Sequence, residues 1–190
     1  KDRDGKERTA VCCLSSLNVE KYDEWKDDKN FVEDVMRFLD NVLEDFINKA
    51  PDSFANAKYA AARERSVGLG VMGLHSFFQK KNIPFGSVMS KVWNKKIFKN
   101  IDDKVNKASK DLADERGSCP DAEEFGIKER FSNKTAIAPT ASISIICGGA
   151  SPGIEPIAAN SYTHKTLSGS YNVRNKYLTE VLEKYNKNTD

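Results

Sequence analysis

The chain has 190 residues, 30 Lys and Arg against 28 Asp and Glu, and so a net charge of +2 at neutral pH. That length suits one domain or part of a larger one, and 39% hydrophobic residues in periodic runs argue against disorder over most of it. The near-zero balance argues against a dedicated nucleic-acid binder, which carries a basic excess on one face, and no apolar run approaches the roughly 18 residues of a membrane span.

The N-terminus, Lys1-Asp2-Arg3-Asp4-Gly5-Lys6-Glu7-Arg8, is charged and lacks the apolar stretch of a signal peptide. With charged polar residues at both ends and no initiator Met, the sequence reads as cut from a longer polypeptide. Cys12, Cys13, Cys119 and Cys147 form no dense paired framework, which points to a reducing, cytoplasmic compartment. There is no C-x-x-C, and His75 and His164 are far apart, so no metal site is expected.

In chain order, residues 10–19 read as a short buried strand or extended segment. Phe31, Val35, Leu39, Val42 and Phe46 recur at spacings of three and four, one face of an amphipathic helix that Pro51 and Asp52 stop. Residues 55–65 predict a second, Ala-rich helix. Over 66–73, Val67, Leu69 and Val71 alternate with glycines, a strand that leads into a helix through Leu74, Phe77 and Phe78. After a turn at 82–86, a long helix carries Val88, Val92, Ile97, Ile101, Val105, Ala108 and Leu112 on one stripe, and Gly117 and Pro120 end it. Lys91, Lys95, Lys96, Lys99 and Lys104 read as its solvated face. Residues 120–133 read as a polar surface connection, 134–138 as a brief strand, 157–167 as another strand and 177–185 as a final helix. Strands alternating with helices predict an α/β architecture.

Three places invite a functional reading. Gly68-Leu69-Gly70-Val71-Met72-Gly73 fits the dinucleotide pattern G-x-G-x-x-G, but polar residues 63–66 precede it and no acidic residue follows near position 93. Glycines that let a helix pack tightly on a strand explain it equally. Pro139-Thr140-Ala141-Ser142 follows a strand, and Thr140 or Ser142 is placed to cap a helix. Such a terminus suits phosphate or carboxylate, although an ordinary cap with nothing bound has the same sequence. In Cys12-Cys13, adjacent strand residues face opposite ways, so at most one thiol faces a given pocket. The default for each of the four cysteines is a small buried hydrophobe.

Taken in order, Ala10-Val11-Cys12-Cys13-Leu14-Ser15-Ser16-Leu17-Asn18-Val19, the segments 65–73 and 112–120, Ala136-Ile137-Ala138-Pro139-Thr140-Ala141-Ser142 and Gly153-Ile154-Glu155-Pro156 resemble the large, catalytic subunit of class I ribonucleotide reductase. The resemblance runs over nearly the whole chain. It implies that residues 1–190 are a central-to-late part of that family's ten-stranded α/β barrel, built from two half-barrels of parallel strands with surrounding helices. It further implies reduction of ribonucleoside diphosphates to 2′-deoxyribonucleoside diphosphates by thiyl-radical chemistry, with Cys12 as one member of the reducing cysteine pair. Cys13 falls where the family has another residue. Pro139, Thr140, Ala141, Ser142 and Ile143 match the segment that holds the substrate diphosphate, through the backbone donors of 141–143 and the hydroxyls of Thr140 and Ser142.

By the same resemblance the radical comes from a metal-containing small subunit, and thioredoxin or glutaredoxin restores the thiols. No cofactor, membrane or nucleic acid is bound directly. The radical-bearing cysteine on an Asn-x-Cys-x-Glu motif is not in the sequence, so these residues alone are expected to be inactive without the remainder of the large subunit. A cobalamin-dependent reductase, with a related barrel and no small subunit, and a non-catalytic phosphate-binding or assembly module are the alternatives.

Overall fold

Residues 2–3, 5–166 and 169–188 are described by the computed structural model. Strand β1 (Leu14–Asn18) lies parallel to β2 (Gly68–Met72), in a register that pairs Leu14 with Gly68 and Asn18 with Met72. A third segment continues the ladder in the same direction. Leu69 N–H donates to the Lys134 carbonyl at 2.9 Å, Ala136 N–H donates back to the Leu69 carbonyl at 3.2 Å, and Thr135 bridges Leu69. Between β1 and β2 run α1 (Tyr22–Trp25), α2 (Phe31–Lys49) and α3 (Ala55–Glu64). Between β2 and the third segment run α4 (Leu74–Lys80), α5 (Val88–Arg116) and α6 (Pro120–Glu123). The single-turn α7 (Ile143–Ile146), an antiparallel hairpin of β3 (Ser161–Thr166) and β4 (Gly169–Arg174), and α8 (Lys176–Lys184) follow. The α/β alternation read from the sequence is present.

One face of the small parallel sheet makes the core. Cys13, Leu17, Leu69 and Val71 pack with Val32, Met36, Leu39 and Leu43 of α2, Phe77 and Phe78 of α4, and Ile97, Ile101, Val105 and Leu112 of α5. Removing this apolar surface from water is the main driving force that assembles the layers.

Several sequence expectations shift. Regular strand geometry begins at Leu14 rather than at residue 10. The buried stripe of α2 is Val32, Met36, Leu39 and Leu43; Val35 and Phe46 pack at its margin and Val42 is exposed, because an apolar sector this wide fixes its facing only against a partner. In α5 the burial starts at Ile97. Val88 and Val92 are 76% and 52% exposed, since the first turns run beyond the body that covers the rest of the helix. Lys104 is half-buried and donates to the carbonyls of Lys26 and Asp28. The segment 120–133 is no mere surface connection, for it contains α6, and Phe131 is 1% exposed in the core. The predicted strand at 157–167 is β3 alone, Leu167 lies outside the described residues, and β4 was not anticipated.

The core also holds one carboxylate. Asp40 is completely buried on α2 and bonded by Arg65 (2.9 Å), Arg116 (2.8 Å) and Arg130 (3.0 Å). Burial alone would raise its carboxyl; hydrogen bonds from Arg130 and the charge of Arg65, with Arg116, outweigh it and hold the group below the usual carboxylate range. Arg65 reaches this site from a left-handed position, φ +43°, at the C-terminus of α3. The cluster therefore ties the end of α3, the end of α5 and the segment before the third strand to α2.

Candidate active site

The face of the sheet opposite the core carries Leu14 and Ser16 of β1 beside Gly68 and Gly70 of β2, because paired residues point the same way and alternate along each strand. Cys12 and Leu14 are exposed, whereas Cys13 is buried with its thiol donating to the Leu39 carbonyl at 3.7 Å. Burial, then the neighbouring Cys12, pushes the Cys13 thiol up, away from the reactive thiolate. Alternation thus separates the two cysteines as expected. Of the other two, Cys119 is buried and Cys147 is exposed, the latter against the default of burial.

The glycines of 68–73 have a local explanation. A Cβ at Gly70 would collide with the Ala136 carbonyl oxygen, and one at Gly68 would come within 2.7 Å of the Ala136 side chain. The tight packing is therefore against the third strand segment and not against a helix. The helix start that a dinucleotide would need is occupied by protein: Gly73 N–H donates to the Ser151 carbonyl at 2.7 Å and Ser76 N–H to the Ser151 hydroxyl at 3.1 Å.

Beyond the third segment the chain turns at Pro139 and Thr140. Thr140 has φ +52°, a left-handed conformation unusual for a β-branched residue, which costs about 1–3 kcal/mol and persists only where its surroundings impose it. Neither Thr140 nor Ser142 caps α7 with its side chain. The Thr140 hydroxyl instead accepts from Gly153 N–H at 2.7 Å, and its carbonyl accepts from Ser144 N–H at 3.0 Å. The N–H groups of Ala141, Ser142 and Ile143 donate to no protein acceptor among the described residues. Ala141, Ser142 and Ile143 are exposed, so three successive backbone donors stand open to solvent on one turn.

The structure gathers Pro139–Ile143 into this turn and places Cys12 elsewhere, before the N-terminal end of β1, with no hydrogen bond between them. Asn18, Glu20, Ser76 and Ser151 were not singled out from sequence. Asn18 donates to the Cys147 carbonyl (3.3 Å) and accepts from Glu20 N–H (3.0 Å). Glu20 is bonded by Tyr177 at 2.6 Å and by Lys176, which also donates to the Gly148 carbonyl at 3.2 Å. Burial, then Glu20, pushes the Tyr177 hydroxyl up, so it acts as a neutral donor. Their advance signal was position alone: Asn18 ends β1, Glu20 follows it in the next turn, Ser76 sits in the first turn of α4, and Ser151 lies two residues before the Gly153–Pro156 segment of the resemblance. Among the described residues no group of three His, Cys, Asp or Glu side chains is placed to hold a metal ion, and no helix is long and apolar enough to cross a membrane. A cleft of about 380 Å³ near α3 and α6 lies away from this turn, and its Arg8, Arg63, Asp121 and Glu124 pair with one another.

The family described as ribonucleotide reductase, barrel domain, matches residues 2–130 and 121–190. The ribonucleoside-diphosphate reductase large subunit of Invertebrate iridescent virus 6 is 50% identical over 175 residues, 92% of this chain and 18% of that protein. The vitamin B12-dependent ribonucleoside-diphosphate reductase of Thermoplasma acidophilum is 38% identical over 169 residues, 83% of this chain and 21% of that protein. The solved class Id ribonucleotide reductase alpha subunit of Actinobacillus ureae superposes with a TM-score of 0.86 at 35% identity, covering 97% of this chain and 33% of that one. The chain thus spans a third or less of each of these relatives. A family model that matches nearly the whole length, with a solved relative superposing over 97% of it, means that this chain belongs to the ribonucleotide reductase barrel-domain family.

Proposed function

We propose that residues 1–190 supply part of the catalytic barrel of a ribonucleoside-diphosphate reductase large subunit, with Cys12 in the reducing cysteine pair and the Pro139–Ile143 turn holding the substrate diphosphate. The observation that carries the reading is the set of three unpaired backbone donors on Ala141, Ser142 and Ile143, a cradle for phosphate oxygens that needs no side-chain charge. The Thr140 hydroxyl, its oxygen already fixed by Gly153 N–H, has its own proton free for a further phosphate oxygen. Ser142 adds a second hydroxyl. The opposed exposure of Cys12 and Cys13 supports Cys12 as the working thiol.

In the net reaction two thiols close a disulfide and surrender two electrons and two protons. The ribose 2′-hydroxyl leaves as water and a hydrogen takes its place. A radical from a metal-containing small subunit opens the sequence, and thioredoxin or glutaredoxin reopens the disulfide. The second thiol and the radical-bearing cysteine belong to the remainder of the large subunit, so this chain alone is inactive, and its compartment is the cytoplasm. Likeness to the vitamin B12-dependent enzyme keeps a second reading, in which adenosylcobalamin replaces the small subunit.

The test is turnover of a ribonucleoside diphosphate by the assembled enzyme. Cys12→Ser abolishes thioredoxin-dependent turnover while Cys13→Ser retains it; equal activity of the two variants would sink the assignment. Activity that needs adenosylcobalamin and ignores the small subunit selects the second reading.

A further inference from the structure

We infer that Ser76 and Ser151 form a brace that positions the Thr140 turn, so that the first turn of α4 sets how an anionic ligand is held at Ala141–Ile143; this rests on the reading of that turn as a phosphate cradle. The N-cap position of α4 is Gly73, which has no side chain to cap the helix. The cap comes from a distant part of the chain. Ser151 accepts from Ser76 N–H at 3.1 Å through its hydroxyl, and its own N–H donates to the Ser76 hydroxyl at 2.9 Å. With the Ser151 carbonyl on Gly73 N–H at 2.7 Å, three bonds fix one residue to the start of α4. Ser76 and Ser151 are 3% and 1% exposed, so water does not substitute for a lost partner.

Two residues on, Gly153 delivers the effect. Its N–H reaches the Thr140 hydroxyl at 2.7 Å, and it approaches the turn so closely that a Cβ there would lie 3.3 Å from the Ala138 carbonyl oxygen. The strained conformation of Thr140 is therefore dictated from Gly153, and Gly153 is placed by Ser151. The peptide planes of 141–143 follow directly from Thr140, and their N–H directions with them. Ser76 and Ser151 touch no ligand in this arrangement and act as positioning residues only.

The experiment is steady-state kinetics of the assembled reductase carrying Ser151→Ala, read with competition by inorganic pyrophosphate. A positioning role raises KM for the ribonucleoside diphosphate and the pyrophosphate inhibition constant together, by about tenfold, the effect of one well-aligned hydrogen-bonded contact, while kcat at saturation stays within twofold. Ser76→Ala leaves the Ser151 hydroxyl on α4 and gives the same pattern more weakly, which keeps the test open if Ser151→Ala does not fold. Unchanged KM in both serine variants, or a fall in kcat alone, overturns the brace. Wild-type enzyme that pyrophosphate does not compete with overturns the cradle itself, a different result from failure of the brace.

Discussion

Two regions of this molecule solve the same problem, fixing a junction of several segments, by opposite means. Around Asp40 the ties are charged: one carboxylate without solvent exposure accepts from three arginines. At Thr140 itself and in the Ser76–Ser151 pair the ties are neutral, hydroxyls and amides bonded to backbone, and the Lys176–Glu20 ion pair reaches only the Gly148 carbonyl beyond α7. The difference follows from what each must leave free. A charge cluster saturates its own groups and suits an architectural joint. A turn meant for an anion gains from keeping its donors unspent and competing carboxylates away, and hydroxyl–amide bonds hold geometry without adding a field of their own.

The largest way to break this contrast is to remove the charge at its centre. Asp40→Ala leaves three guanidinium groups short of their shared acceptor. Losing one partner of a buried ion cluster costs about 3–5 kcal/mol, read as loss of unfolding free energy in urea or as failure to fold. Asp103→Asn, at the exposed partner of Lys99 (3.0 Å), leaves the midpoint within error, because solvent screens that pair. A comparable loss from Asp103 would show that burial is not what gives the Asp40 cluster its weight.

A second, smaller test asks whether the close approach under the turn is needed. Gly70→Ala drives a Cβ into the Ala136 backbone, and backbone does not yield as a side-chain end does. Overpacking of this kind costs about 1–3 kcal/mol and displaces the third strand that leads to Thr140. Pyrophosphate competition should weaken alongside stability. Gly86→Ala is the control: nothing lies within 4 Å of a Cβ there, and stability holds or rises slightly.

Sequence alone carried the alternation of strands and helices, because glycines, prolines and apolar spacing punctuate it locally. It also carried the opposed exposure of Cys12 and Cys13, because the extended chain leading into β1 keeps the alternation of a strand. What it could not carry was set by distant partners. Val88 and Val92 fit the apolar stripe of α5 by period, yet whether a stripe is covered depends on how far the neighbouring layer extends. Arg130 and Phe131 sit in a polar stretch and are buried only because Asp40 and the core reach them. At the candidate site the tetrapeptide suggested a helix cap, while the Thr140 hydroxyl is claimed by Gly153, thirteen residues on.

The smallest effect comes from placing a charge in the neutral region. His75, half-buried on α4 beside Phe85, accepts from Ile157 N–H at 3.1 Å through Nδ1 and so helps hold the segment that follows Gly153. Burial lowers its pKa below the ordinary value of about 6.5. Above that pH both folded and unfolded chains are neutral at this ring and its contribution is fully present. As pH falls below it the unfolded chain takes up a proton first, and stability declines until the folded ring also protonates and loses its acceptor. Asp40, and with it Asp23 and Asp121, are depressed carboxylates whose contribution is lost only as pH falls through the acid range below about 4. The two regions therefore weaken in separate windows. Unfolding free energy measured from pH 7 to 4.5 should fall gently in the wild type and less steeply in His75→Asn, whose amide oxygen keeps an acceptor near the Nδ1 position without titrating. Identical slopes would place the pH response outside the ties around Thr140, and the contrast between charged and neutral joints would lose its clearest solution signature.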